Sequence, residues 1–189
     1  MIHFVGAGPG AVDLITVRGQ KLLETADQII YAGSLVNPQL LACAKKDCRI
    51  LDSAGMTLEA VIAAMEAGER QGWMTVRLHT GDPSVYGAIR EQMDILSQKG
   101  LAYDVVPGVS SFCAAAASLQ AEYTLPGISQ SVIITRMEGR TPVPDKQKIA
   151  DYAAHQATMV IFLSASLLDG LQAELLRGGY SADTPAAIV

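Results

Sequence analysis

Aromatic side chains make up only 5% of this 189-residue chain, with a single tryptophan. That scarcity argues against a nucleic-acid platform, which stacks bases on aromatic faces. Positive charge is not in excess: 14 Lys and Arg face 19 Asp and Glu, a net charge of −5, which disfavours nonspecific binding to phosphate backbones. The three cysteines, Cys43, Cys48 and Cys113, fit neither a disulfide framework nor a C-x-x-C zinc pattern. Free thiols in a reducing cytoplasm are expected. His3, His79 and His155 are scattered without metal-ligand spacing, so no metal site is expected, and His3 and His79 read as strand residues. No apolar run approaches the ~20 residues of a membrane span. The first five residues run into a strand with no basic segment or small-residue cleavage site, so no signal peptide is read. Without a G-x-S-x-G elbow or a Walker A lysine, hydrolase and nucleotide-kinase readings have no support.

What is present is hydrophobic, small and alternating. Half the residues are hydrophobic and 17 are glycine, enough for one large domain or two small ones with close helix–sheet packing. Strand-like runs at 2–5, 28–31, 48–51, 73–78 and 103–106 alternate with helix-like runs at 16–26, 38–44, 57–68, 88–97 and 112–119. Such alternation predicts a mostly parallel sheet over residues 1–120. Residues 122–129 read as a linker. A second α/β unit follows over 121–189, with strands at 131–135 and 158–163, a loop at 136–145 and helices at 146–155 and 167–176. The final apolar run, 185–189, reads as an unfinished strand, so the sequence is expected to be a piece of a longer chain.

Three Gly/Pro-rich turns each follow a strand of the expected sheet: Gly6-Ala7-Gly8-Pro9-Gly10, His79-Thr80-Gly81-Asp82-Pro83-Ser84-Val85-Tyr86-Gly87 and Pro107-Gly108-Val109-Ser110-Ser111. Turns at the carboxyl ends of parallel strands lie along one edge, where open α/β sheets hold ligands. The first turn formally meets the dinucleotide fingerprint G-x-G-x-x-G/A. Pro9, however, removes a backbone donor, and the second strand carries no acid at its carboxyl end, where a ribose-binding group is expected. A tight strand-to-helix turn needs the same glycines. Asp82 suits either a helix cap or a ligand contact, and Ser110 suits a cap on the Ala-rich helix. Arg136 and Arg140, in the loop after the second unit's first strand, suit either a solvated loop or a polycarboxylate ligand, which guanidinium groups pair bidentately. Arg18 and Lys21 sit near the first turn with the same two readings.

In order and spacing, these turns resemble the tetrapyrrole (corrin/porphyrin) methyltransferase family. Residues 5–16 resemble its first signature, 77–86 its second and 106–111 its third. Within the family, Tyr31-Ala32-Gly33-Ser34-Leu35-Val36-Asn37-Pro38 and Thr135-Arg136-Met137-Glu138-Gly139-Arg140-Thr141-Pro142 resemble the branch that methylates C11 of precorrin-4 or cobalt-precorrin-4. The resemblance spans the whole chain, and relatives run on for roughly another quarter of its length. It implies the α/β tetrapyrrole-methylase fold: two α/β domains with an inter-domain cleft, a class III S-adenosylmethionine methyltransferase, and a homodimer. It implies S-adenosyl-L-methionine as methyl donor, with S-adenosyl-L-homocysteine as product, and a tetrapyrrole polycarboxylate as substrate in cobalamin biosynthesis. By the same resemblance Pro9, Gly81, Asp82, Val85, Ser110, Ser111 and Leu163, with Ala187, match cofactor-lining positions. Gly8 and Gly10 match the substrate side, with Arg18, Arg136 and Arg140 for its carboxylates. No catalytic base or nucleophile is assigned, because the sulfonium methyl is already electrophilic and the conjugated substrate carbon is already nucleophilic.

Other members of the same fold methylate precorrin-2 at C20, precorrin-3 at C17 or uroporphyrinogen III, and these stand as alternatives. A protein or RNA methylase is a further one, the RNA option disfavoured by charge. Outside the family stands an NAD-binding α/β module. No nucleic-acid or membrane partner is expected.

Overall fold

The structure is a computed structural model describing residues 1–189, Ser34 by its backbone alone. The chain divides into two compact units, Met1–Ala114 and Ala115–Val189.

In the first unit, strands β1 (Ile2–Gly6), β2 (Gln28–Tyr31), β3 (Arg49–Asp52), β4 (Thr75–His79) and β5 (Tyr103–Val106) form one sheet in the order β3-β2-β4-β1-β5. Every pairing is parallel, as strand–helix alternation demands. Helix α1 (Val17–Thr25) follows β1, α2 (Leu58–Arg70) follows β3, and α3 (Arg90–Gln98) follows β4. Both sheet faces are covered, and the strand residues alternate between them. Val5, Ile29, Val76, Leu78 and Val106 pack with Leu23 of α1 and Leu40 of the 3₁₀ turn Pro38–Cys43. Ile2, Phe4 and Ile30 pack on the opposite face with Val61, Ile62 and Met65 of α2 and Leu96 of α3. The helices start where the capping chemistry is: Thr16 accepts from the Gly19 amide at 3.1 Å and Thr57 from the Ala60 amide at 3.2 Å.

Helix α4 (Ser111–Leu119) follows β5, and its Ala-rich sequence leaves no side chain fully buried. The second unit has a two-stranded parallel sheet, β6 (Val132–Arg136) beside β7 (Thr158–Phe162), with α5 (Ile149–Ala153) and α6 (Leu168–Arg177). Ile149, Ala150, Ala153 and Ala157 form its buried centre. Gly178 lets the end of α6 close on α5, since a Cβ there would lie 2.4 Å from that of Ala153.

Four expectations change. The helix-like run at 38–44 forms a 3₁₀ turn, Pro38–Cys43, and no α-helix. The helix over 146–155 shortens to Ile149–Ala153, because Lys148 is extended (φ −71°, ψ 153°) and separates it from a 3₁₀ turn at Asp145–Gln147. The helix at 88 begins instead at Arg90, because Tyr86 and Ala88 take left-handed conformations. Residues 185–189 form no strand among the described residues, since a strand needs a hydrogen-bonding neighbour and β6 and β7 pair only with each other.

Candidate functional site

The strand order brings the three glycine-rich turns side by side. Because β4 and β5 flank β1, the turns leaving all three strands meet at one rim. Ala7 donates to the His79 carbonyl at 2.7 Å, and Gly8 and Gly81 exchange backbone hydrogen bonds of 3.2 and 2.8 Å. The turns touch through main chain. A Cβ on Gly108 would lie 2.1 Å from the Gly81 carbonyl oxygen, and one on Gly6 would lie 2.5 Å from the Gly108 Cα. Gly81 itself needs its glycine for conformation, with φ +62°.

Asp82 ties two of these turns together. Oδ2 accepts from the Gly108 amide at 2.8 Å. Oδ1 accepts from the Ser84 amide at 2.8 Å and from the Ser84 hydroxyl. Burial pushes the carboxyl up, but the hydrogen bonds from Ser84 and Gly108 outweigh it and hold Asp82 below its usual value. Both oxygens are thus engaged by the protein, so Asp82 works as a strut within the rim. Val85 follows, donating to the Asp82 carbonyl at 3.2 Å. Tyr86 and Ala88 then adopt φ +56° and +51°. A non-glycine residue held there costs about 1–3 kcal/mol and persists only where surroundings over-determine it.

Pro9, Gly8 and Gly10 lie on the first turn, Gly81, Asp82 and Val85 on the second, and Ser110 and Ser111 on the third. Ser110 is buried and Ser111 opens α4. The structure therefore gathers these eight residues at the rim. Arg18 is directed elsewhere: its guanidinium donates to Asp104 of β5 at 3.3 Å, and His3 Nδ1 donates to the same carboxylate at 2.6 Å.

In the second unit Arg136, Arg140 and Leu163 line one open concavity of about 520 Å³, with Met137 and Leu167. It lies where β6 and β7 end. Ser164 joins the two loops there, accepting from the Met137 amide at 3.0 Å and donating to the Phe162 carbonyl at 2.8 Å. Leu163 is 72% exposed at φ +56°, a strained and solvent-facing place for a large apolar residue. The arginines divide their work. Arg136 donates to the carbonyls of Met137, Thr141 and Pro142 at 3.3, 3.1 and 2.8 Å, so it folds its own loop. Arg140 is exposed and makes no hydrogen bond or ion pair among the described residues. Ala187 lies in the 185–189 coil and does not line this concavity.

Sequence reasoning gave no role in the site to several residues. Asn37 holds the first turn, donating to the Gly10 carbonyl at 2.7 Å while accepting from the Gln39 amide at 3.0 Å. Arg77 and His79 of β4 are 7% and 4% exposed. Their signal was the alternation of β4: Val76 and Leu78 take one covered face, so Arg77 and His79 must enter the other. Burial brings the Arg77 guanidinium down to about 10. Burial and then the Arg77 charge bring the His79 imidazole down to about 3. Its Nε2 is buried without a partner, and its ring stacks on Phe4 at 6.0 Å.

His79 therefore stays neutral when folded while an unfolded histidine protonates below about pH 6.5. The unfolded state then binds more protons, so stability falls as pH drops, by up to about 1.4 kcal/mol per pH unit. Urea unfolding at pH 7 and pH 5 is expected to show this loss. His79→Phe should flatten the slope; an unchanged slope would count against it.

The whole chain, residues 1–189, matches the family model described as tetrapyrrole (corrin/porphyrin) methylases. A cobalt-precorrin-4 C(11)-methyltransferase from Methanocaldococcus jannaschii is 57% identical over 188 residues, covering 100% of this chain and 73% of that protein. The X-ray structure of a cobalt precorrin-4 methyltransferase, a cobalamin biosynthetic enzyme, superposes with a TM-score of 0.93 at 48% identity, over 95% of this chain and 75% of the other. A uroporphyrin-III C-methyltransferase from Thermus thermophilus, complexed with S-adenosylhomocysteine, superposes with a TM-score of 0.76 at 26% identity, over 95% and 73%.

Proposed function

The chain belongs to the tetrapyrrole (corrin/porphyrin) methylase family, and from that premise we propose that it is an S-adenosylmethionine-dependent methyltransferase acting on C11 of cobalt-precorrin-4, or of metal-free precorrin-4, to form the corresponding precorrin-5. The observation that carries this is the 57% identity over the whole chain to a protein of that name. We further propose a cytoplasmic homodimer; among the described residues no helix is long and apolar enough to cross a membrane.

The rim suits the proposed donor by its chemistry. It presents main-chain groups, the Ser110 and Ser111 hydroxyls and the apolar Val85, with the positive end of α4 beside them for a carboxylate. Its one acid, Asp82, is engaged by Ser84 and Gly108 and leaves no free carboxylate to repel one. At Gly10 a Cβ would meet nothing within 4 Å, so space stands open there. Pro9, Gly81, Val85, Ser110 and Ser111 would hold the donor, with Asp82 fixing the turns that carry them; Leu163 and Ala187 are proposed donor contacts on the family resemblance alone. When bound, the donor supplies an electrophilic sulfonium methyl. The protein's share is to hold and align the reactants and to keep water out, so no covalent nucleophile is required of it.

Gly8 and Gly10 would face the tetrapyrrole, and Arg140 its acetates and propionates, with Arg136 shaping the loop that carries it; Arg18, paired with Asp104, is not placed to join them. Of the arginines, Arg140 is the unengaged one. Arg140→Ala is expected to lower kcat/KM for the tetrapyrrole about tenfold, the loss of one charge-assisted pair, with S-adenosylhomocysteine affinity unchanged. Arg136→Ala should do the same while also loosening residues 137–142. Equal loss of donor affinity in both variants would count against this division.

The deciding experiment is calorimetric titration of S-adenosylhomocysteine, with NAD as control, followed by mass and regiochemical analysis of the product from cobalt-precorrin-4. Selective binding and methylation at C11 are expected. NAD binding instead, or a methyl group at another carbon, would overturn the reading.

A further inference from the structure

A buried polar relay runs from β2 to the strained end of the second turn. Arg77 Nη1 donates to the Ile30 carbonyl at 3.2 Å, and Arg77 Nε donates to Gln92 Oε1 at 3.3 Å. Gln92 Nε2 then donates to the Ala88 carbonyl at 3.1 Å. Gln92, on α3, is itself 5% exposed. The amide can point only one way. Guanidinium has donors alone, so oxygen faces Arg77, and the Ala88 carbonyl requires the nitrogen.

The choice of residue is informative. Arg77 is buried with no carboxylate partner among the described residues. A glutamate at 92 would reach the same guanidinium and compensate its charge, which burial alone favours. Glutamate, however, has no proton for the Ala88 carbonyl when ionised. Glutamine accepts from one neighbour and donates to the other, and the neighbour it donates to is a left-handed alanine. Residues 82–88 are thus held at both ends: Asp82 grips Gly108, and Gln92 grips Ala88. Val85 and the exposed Tyr86 lie between. Gly87 permits the fold-back, since a Cβ there would lie 2.1 Å from the Pro83 carbonyl oxygen.

We propose that Gln92, braced by the buried Arg77, is a positioning residue that sets the backbone of residues 83–88 and so the affinity of the rim for the methyl donor. The donor part rests on the function proposed above; the loop part does not.

Gln92→Glu separates this role from a merely structural one. The new carboxylate pairs with Arg77 but repels the Ala88 carbonyl. The melting temperature is expected to hold or rise, amide exchange over 83–88 to quicken, and the S-adenosylhomocysteine dissociation constant to increase about tenfold. Glycine takes the left-handed conformation freely, so Ala88→Gly should make the same substitution at 92 cost much less affinity. This second cycle also decides the matter if Gln92→Glu lowers the melting temperature. A dissociation constant within about twofold of the parent, with unchanged exchange, or an equal loss in both backgrounds, would overturn the proposal. If the parent protein itself fails to bind S-adenosylhomocysteine, the donor reading falls, and the exchange rates over 83–88 alone sustain or refute the relay.

Discussion

Gly108→Ala is expected to cost about 3 kcal/mol of stability, the upper end of what overpacking usually does. The added methyl would sit 2.1 Å from the Gly81 carbonyl oxygen and 2.7 Å from the Gly6 Cα. All these atoms belong to main chain; Gly6 is fixed by the β1–β4 ladder and Gly81 by its paired backbone hydrogen bonds with Gly8. No side chain can swing aside, so the third turn must move. Displacement of catalytic geometry by about 1 Å costs on the order of 100-fold in rate, and methyl transfer should fall by that much even where the protein remains folded. Urea unfolding and single-turnover methylation check the two halves. Gly55→Ala is the control, since a Cβ there meets nothing within 4 Å; equal effects of the two substitutions would refute the account.

The second large effect is at Asp82. Asp82→Ala removes the acceptor for two amides and a hydroxyl and leaves the Gly108 amide unpaired. The expected loss is about 3 kcal/mol, because hydrogen bonds to a charged group contribute most and a stranded donor adds its own penalty. Asp82→Asn keeps one acceptor but turns its amide toward another donor at Gly108 or Ser84, so it should fall between. The pH dependence gives a sharper test. The folded carboxyl lies below its unfolded value, so its contribution is complete above the unfolded value, about 4. It is lost as pH falls through the folded one. The stability difference between parent and Asp82→Ala should be constant above pH 5 and narrow below pH 4. A difference that does not change with pH would mean the charge of Asp82 contributes nothing.

Much of the first unit could be read from the residues alone. The short apolar runs at 28–31 and 103–106 coincide with β2 and β5, because Gly, Asp and Pro punctuation bounds them tightly. The meeting of three turns at one rim also follows, since parallel strands put their outgoing turns on one edge. Local chemistry hid the rest. In the stretch Tyr86-Gly87-Ala88, glycine is the residue expected to carry a positive φ, yet Tyr86 and Ala88 carry it. Gly87 is there for closeness to Pro83. The side chain that holds this conformation, Gln92, belongs to the next helix and looks like any polar position on it. Arg136 and Arg140 look equivalent in sequence, but only a folded loop shows that the first is spent on the carbonyls of Met137, Thr141 and Pro142. The helix expected over 146–155 had a correct apolar pattern in Ile149, Ala150 and Ala153, all buried. The pattern said nothing about the extended Lys148.

The main-chain contact of Gly6, Gly81 and Gly108 also divides the molecule into what can drift and what cannot. The rim is shaped by atoms that every amino acid shares, with Gly6 and Gly108 leaving no room for a side chain and Gly81 held at a positive φ. A neighbouring position such as Val109 can therefore exchange its side chain without moving the frame on which it is displayed. An evolving or engineered version of this protein has a short list of positions where a single methyl group disrupts the frame. Beside it lies a longer list where specificity can be rewritten one residue at a time.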